Sequence, residues 1–140
     1  MGDFQGTLAK SVKFSGVGLH SGIPVDLEVL PALAGTGIEF VRVDLEGCPV
    51  ISASPKHIIA TDLCTTIGLN VGCQVSTVEH LISALVGTGI NNATICINAG
   101  EVPVLDGSAF KFVERFMEAG VCRQQARVPF FMVKEKFEIT

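Results

Sequence analysis

Glu79 and His80 are adjacent, and few other ionisable groups lie near them in the chain. Between Ile58 and Gly100 there is no Lys or Arg, and the only acidic residues are Asp62 and Glu79. At the chain average of 17% charged residues, roughly seven would be expected there, so the stretch reads as core or interface. A neighbouring carboxylate and imidazole suit metal-assisted hydrolysis, with His80 as ligand and Glu79 as base. Three plainer roles remain open to the pair: Glu79 as the closing member of a helix capping box, His80 as an exposed helix residue, or both as caps of a buried polar network. The H-E-x-x-H zincin pattern is absent, because Ala84 stands four residues beyond His80. Catalytic zinc usually takes three protein ligands. The other histidines, His20 and His57, are not at ligand spacing from His80, so two ligands would have to come from elsewhere.

The pair needs an element to hold it. Ser76-Thr77-Val78-Glu79 matches the S-x-x-E capping box, and Val78, Leu81, Ile82 and Leu85 follow at helical spacing until Gly87 or Gly89. Projected at about 100° per residue, the apolar stripe centres on Val78 and Leu85, with Glu79 about 110° and His80 about 150° away. Both residues are therefore expected on a solvent-accessible cleft and not in the core.

Around this helix the first half reads as strands: Leu8 to Phe14, Val25 to Val29, Ile38 to Val43, and Thr65 to Leu69 turning through Asn70-Val71-Gly72 into Cys73 to Val75. A strand from Ala93 to Ile97 follows. Asp106-Gly107-Ser108 then offers caps for a second helix with the stripe Ala109, Phe112, Val113, Phe116 and Met117, ended by Gly120. The expected class is α+β, a mostly antiparallel sheet with two helices packed on one face. Phe131 to Ile139 alternates like a strand without a partner, so residues 1–126 are expected to form one domain and 127–140 to open a second.

Composition narrows the function classes. The 140 residues have the length of one ordinary domain, 48% are apolar, and mean hydropathy is +0.50, which excludes a disordered chain. Ten basic against fourteen acidic residues give a net charge of −4 and no footprint for nucleic acid. No apolar run nears the ~20 residues of a membrane span, and the polar start is not a secretory signal, so the cytoplasm is expected. Five cysteines at irregular spacing suit neither a disulfide framework nor a zinc knuckle, and most are expected to be reduced core residues.

Five segments occur in an order and spacing that carry a resemblance: Gly16-Val17-Gly18-Leu19-His20-Ser21-Gly22, Leu63-Cys64-Thr65-Thr66, Ser76-Thr77-Val78-Glu79-His80-Leu81, Gly87-Thr88-Gly89-Ile90-Asn91-Asn92, and Glu101-Val102-Pro103-Val104-Leu105-Asp106-Gly107-Ser108-Ala109. The chain resembles the zinc-dependent UDP-3-O-acyl-N-acetylglucosamine deacetylases of lipid A synthesis in Gram-negative bacteria, over nearly its whole length. Gly2 to Gln5 match no motif, and Asp62 falls where relatives often carry an apolar residue.

The resemblance implies the N-terminal half of a two-domain β-α-α-β sandwich, with the site between the halves. It implies that His80 is one of three zinc ligands and that Glu79 is the general base. The other two ligands, and the groups that stabilise the oxyanion, are implied beyond Thr140, in the C-terminal half. His20, Leu63, Cys64 and Thr65 are implied as contacts to the UDP-linked acylated N-acetylglucosamine. The isolated chain is then expected to be inactive. The competing expectation is a free-standing, non-catalytic binding or dimerisation module with the same half-fold.

Overall fold

The two periods read from the sequence become two kinds of layer in the computed structural model, which describes residues 4–130 and 132–139. The strands are β1 (Phe4–Leu8), β2 (Val12–Val17), β3 (Pro24–Pro31), β4 (Ile38–Arg42), β5 (Val50–Ser52), β6 (Ile58–Ala60), β7 (Thr66–Asn70), β8 (Cys73–Val75), β9 (Ala93–Ile97) and β10 (Val121–Arg127). The helices are α1 (Glu79–Gly87) and α2 (Phe110–Ala119). A five-stranded sheet runs in the order β2-β3-β9-β4-β5, beside a β6-β7-β8 sheet and a β1-β10 ribbon. The class is α+β, as expected. Pairing is antiparallel except between β4 and β9, which are parallel. No helix among the described residues is long and apolar enough to cross a membrane.

The registers explain why one face of the large sheet is greasy. Phe14 stands opposite Leu27, Leu27 opposite Ile97, and Val29 and Phe40 opposite Ile95. All of these are buried. The intervening pairs, Lys13 with Glu28, Ser15 with Asp26 and Glu28 with Cys96, line the other face. The greasy face is covered by Leu81, Ala84 and Leu85 of α1 and by Phe112, Phe116 and Ala119 of α2, all within one core cluster. Phe14 makes the joint, with ring centroids 4.8 Å from Phe112 and 5.8 Å from Phe116 in tilted and edge-on contact.

Several local expectations are corrected. The run Leu8 to Phe14 is two strands in different sheets, separated at Ala9–Ser11. In α1 the buried stripe uses Ala84, while Ile82 is only half-buried. In α2, Met117 points to solvent. Of the five cysteines only Cys73 is buried; Cys64 and Cys96 are half-buried, and Cys48 and Cys122 are exposed. β10 goes unforeseen because its residues, Val121-Cys122-Arg123-Gln124-Gln125-Ala126-Arg127, bury no alternating face. It is held by pairing with β1 and by Arg123 lying 3.8 Å over the ring of Phe4. Beyond it, residues 132–139 form no strand and are exposed; an alternating pattern without a partner strand has nothing to complete its ladder. Phe131 and Thr140 lie outside the described residues.

The packing of α2 yields a direct test. Phe112→Ala removes a fully buried ring and is expected to cost about 3–5 kcal/mol. Met117→Ala, at an exposed site, should stay within about 0.5 kcal/mol of the parent. Urea midpoints of the two variants against the parent check both values.

Candidate functional site

The short link from α1 to β9 reverses the chain, so the start of α1 sits at the end where β9 finishes. Backbone bonds record this: the Ser76 N–H donates to the Gly100 carbonyl at 2.9 Å, and the Val102 N–H donates to the Ser76 carbonyl at 3.1 Å. Glu79 and His80 open α1 at this end, on its outward side, and both are half-buried.

The capping box does not form. The residue before the helix is Val78, and no side chain caps the first turn. The Glu79 carboxylate turns instead to the segment before β7, where Oε1 accepts the Thr65 N–H. The Val78 N–H in turn reaches the Thr65 carbonyl at 3.5 Å. The Ser76 hydroxyl accepts a hydrogen bond from Thr66 Oγ1 at 3.0 Å. Both members of the expected box are thus occupied in docking the 63–66 segment onto the start of α1. Leu63, Cys64 and Thr65 are thereby brought beside Glu79. Leu63 is 93% exposed and has φ +63°, a left-handed conformation unusual for a branched side chain.

An open cleft of about 510 Å³ lies alongside, lined by His20, Ser21, Asp62, Leu63, Cys64, Ser76 and Glu101 among others. The cleft collects His20, Leu63 and Cys64. Thr65 is not in its lining, and neither are Glu79 and His80, which stand beyond the 63–66 segment. His57 is elsewhere, with Nδ1 3.1 Å from the Ser54 hydroxyl. Behind the cleft, the Arg42 guanidinium is buried and makes a two-pronged pair with Asp44, at 2.8 Å from Nε and 2.7 Å from Nη2. Nη1 of Arg42 donates to the carbonyl of Gln74, another lining residue. The hydrogen bond from Arg42 holds the Asp44 carboxyl below its ordinary range.

The residue that sequence reasoning missed is Glu101. It is only 4% exposed, and the cleft is built around it. Its Oε1 accepts the His20 N–H at 3.0 Å and the Thr77 hydroxyl at 2.9 Å; its Oε2 accepts the Ser21 N–H at 2.8 Å. Burial by itself would raise this carboxyl. The hydrogen bonds from His20, Ser21 and Thr77 outweigh it and bring the group from 4.5 down to about 2. Gly18 is required by the same arrangement: a Cβ there would lie 2.3 Å from Glu101 Oε2 and 2.2 Å from Ser21 Oγ. Thr77 has φ +58°, strained for a β-branched residue by about 1–3 kcal/mol and sustained by its surroundings. The available signal was a lone carboxylate in the apolar run Ala99 to Leu105.

Among the described residues no group of three His, Cys, Asp or Glu side chains is gathered as a metal site. His80 is half-buried at the start of α1, and neither His20 nor His57 is gathered with it.

Comparison with known proteins gives one consistent answer. The family model for LpxC, UDP-3-O-acyl N-acetylglycosamine deacetylase, matches residues 5–140. A protein of Thermosynechococcus vestitus named UDP-3-O-acyl-N-acetylglucosamine deacetylase is 50% identical over 135 residues, covering 96% of this chain and 47% of its own length. Proteins of the same name from Shewanella sp. strain W3-18-1 and Haemophilus influenzae are 42% and 43% identical, with 97% and 94% of this chain covered against 44% and 43% of theirs. The chain spans a little under half the length of these curated relatives.

Glu101 makes stability depend on acid pH with a definite sign. A folded value of about 2 against 4.5 unfolded means the folded state favours the ionised carboxylate. Its stabilisation, on the order of 3 kcal/mol, is complete above about pH 4.5 and is lost as pH falls towards 2. Denaturant titrations between pH 5 and 2 should show this loss in the parent and a flatter dependence in Glu101→Gln. Identical slopes would remove Glu101 as the source.

Proposed function

This chain belongs to the UDP-3-O-acyl N-acetylglycosamine deacetylase family, and from that premise we propose that it is the N-terminal half of a zinc-dependent amidohydrolase. The substrate in this reading is UDP-3-O-acyl-N-acetylglucosamine, whose acetamide is hydrolysed in lipid A synthesis. The observation that carries it is the placement of Glu79 and His80 together on the outward start of α1, beside the docked 63–66 segment, within a chain matched along residues 5–140. The boundary near residue 126 and a second domain beyond it belong to the same proposal. So does the cytoplasm as its compartment, where reducing conditions suit the five free thiols.

His80 would hold the metal as one of three protein ligands, the other two coming from the C-terminal half. Bound zinc supplies Lewis acidity, which lowers the pKa of an attacking water to about 7. Glu79 is the general base, accepting that water's proton as it attacks the acetamide carbonyl. Its Oε1 is held by the Thr65 N–H, so Oε2 is the oxygen we assign to the water. Thr65 therefore acts on the base through its backbone, while Leu63, Cys64 and His20 are assigned to the substrate along the cleft. A cleft of about 510 Å³ is in the range of small-molecule sites. Hydrogen-bonding groups for the tetrahedral oxyanion are left to the second half. The exposed Val86, Phe110 and Met117 of the helix layer are the surface that half would cover.

Two measurements test the reading. In the complete enzyme, Glu79→Gln is expected to retain metal and lose turnover by about 10²-fold or more; an unchanged kcat would remove Glu79 from the mechanism. The 140-residue chain alone should neither bind zinc stoichiometrically nor deacetylate, and should gain both when the C-terminal half is supplied. Tight zinc and turnover by the chain alone would overturn the shared-site reading, and continued inactivity with the second half present would favour a binding module.

A further inference from the structure

Three segments distant in sequence converge on the carboxylate of Glu101. The β2–β3 turn contributes the His20 and Ser21 N–H groups, and the residue preceding Val78 contributes the Thr77 hydroxyl. The segment after β9 contributes Glu101 itself, which is also bridged through its backbone to Ser76. Thr77 lies two and three residues before Glu79 and His80 and is held at φ +58°, so whatever fixes its hydroxyl fixes the direction in which α1 starts.

We propose that Glu101 is a positioning residue for the catalytic site, a single carboxylate that sets both the His20 turn and the start of α1 and thereby the placement of Glu79 and His80 relative to the substrate cleft. This rests on the reading of Glu79 and His80 as site residues. A direct catalytic or ligating role does not suit Glu101, because a carboxylate offers about four acceptor positions and most of these are committed to protein donors. Gly18 fits the same role: its missing side chain is the space the carboxylate occupies. The coupling is two-sided. Loss of the Thr77 hydroxyl leaves Oε1 with the His20 N–H alone, so the turn should respond to a change made at the helix start.

The test uses Thr77→Val, which removes the hydroxyl at nearly constant shape and keeps the β-branch, with Thr77→Ser as the rescue. In the 140-residue chain, amide spectra of Thr77→Val should show shifts at His20 and Ser21 as well as at Glu79 to Leu81, and Thr77→Ser should return both sets to their parent positions. In the complete enzyme, Thr77→Val should lower kcat about tenfold or more with KM within about threefold, as misplacement of reacting groups does. Thr77→Ser should restore kcat. Gly18→Ala, which crowds the carboxylate from the turn side, should shift the amides of Glu79 to Leu81 as well. Shifts confined to the neighbours of each substituted residue would overturn the proposal, as would an unchanged kcat in Thr77→Val. If Glu79→Gln itself left kcat unchanged, the site reading would fail while the spectra still reported whether Glu101 couples the two segments.

Discussion

The parallel pairing of β4 with β9 is the constraint on which the rest of the structure depends. Antiparallel neighbours can be joined by a tight turn, whereas parallel ones require the chain to cross back along the sheet. Here the crossover between Arg42 and Ala93 contains β5, the three-stranded β6-β7-β8 sheet and α1. Because β9 is the central strand, with Ala93, Ile95 and Ile97 fully buried, its direction is not negotiable. α1 must then return against it, and the start of the helix must fall where β9 ends. Residues 63–66, 76–80 and 98–103 are thereby gathered at one end of the sheet.

That end combines apolar packing, through Val75, Val78 and Val102, with a buried carboxylate. Burying a carboxylate is costly unless hydrogen bonds replace its water, and Glu101 obtains them from two backbone N–H groups and a hydroxyl. The direction of its pKa shift shows which effect prevails: burial pushes upward, the donors push down, and the donors win. Arg42 solves the converse problem with a buried cation, dividing its guanidinium between Asp44 and the Gln74 carbonyl. Glu101 and Arg42 are thus both satisfied internally, while the ionisable side chains of His20 and Asp62 in the cleft lining remain exposed.

Much of this is legible in the amino-acid sequence. β9 and the β7–β8 turn follow from alternation and from Asn70-Val71-Gly72, and both helices follow from spacing, because those patterns reflect burial on one face. What could not be read depends on partners remote in sequence. The S-x-x-E pattern at Ser76 is locally a good capping box, yet each member finds a better-placed partner in the 65–66 segment, and tertiary hydrogen bonds override the local motif. β10 has no apolar period because cross-strand pairing and Arg123 over Phe4 hold it in place of a buried face. Glu101 shows in the sequence only as a lone carboxylate in an apolar run, and nothing within a few residues of it indicates that His20, Ser21 and Thr77 will supply its donors. Cys48 and Cys122 depart from the expected core placement because Cys48 lies in the link between β4 and β5 and Cys122 on β10, a strand that buries no face.

The failure of the capping box bears on the orientation of the Glu79 carboxylate. Had its carboxylate folded back onto the helix start, both oxygens would lie over the first turn, committed to helix stability and aimed at the α1 backbone. Docking to the Thr65 N–H turns the group outward and anchors one oxygen from the far side. The helix then loses a stabilising cap typically worth about 1 kcal/mol, and the start of α1 is fixed by Thr77 and Glu101 instead. A strained residue, Thr77, and a forgone cap lie beside Glu79 and His80 in sequence, and Gly18, a glycine imposed by crowding, joins them through Glu101. Such exceptions also occur elsewhere in the chain, with positive φ at Cys48 and Leu105, crowding at Gly6 and Gly68 and no side-chain cap on α2, so they mark places where tertiary contacts override local preference. At the start of α1 the override is made by Thr65, Thr66 and Glu101, whose hydrogen bonds together set the direction of the helix and of the Glu79 carboxylate.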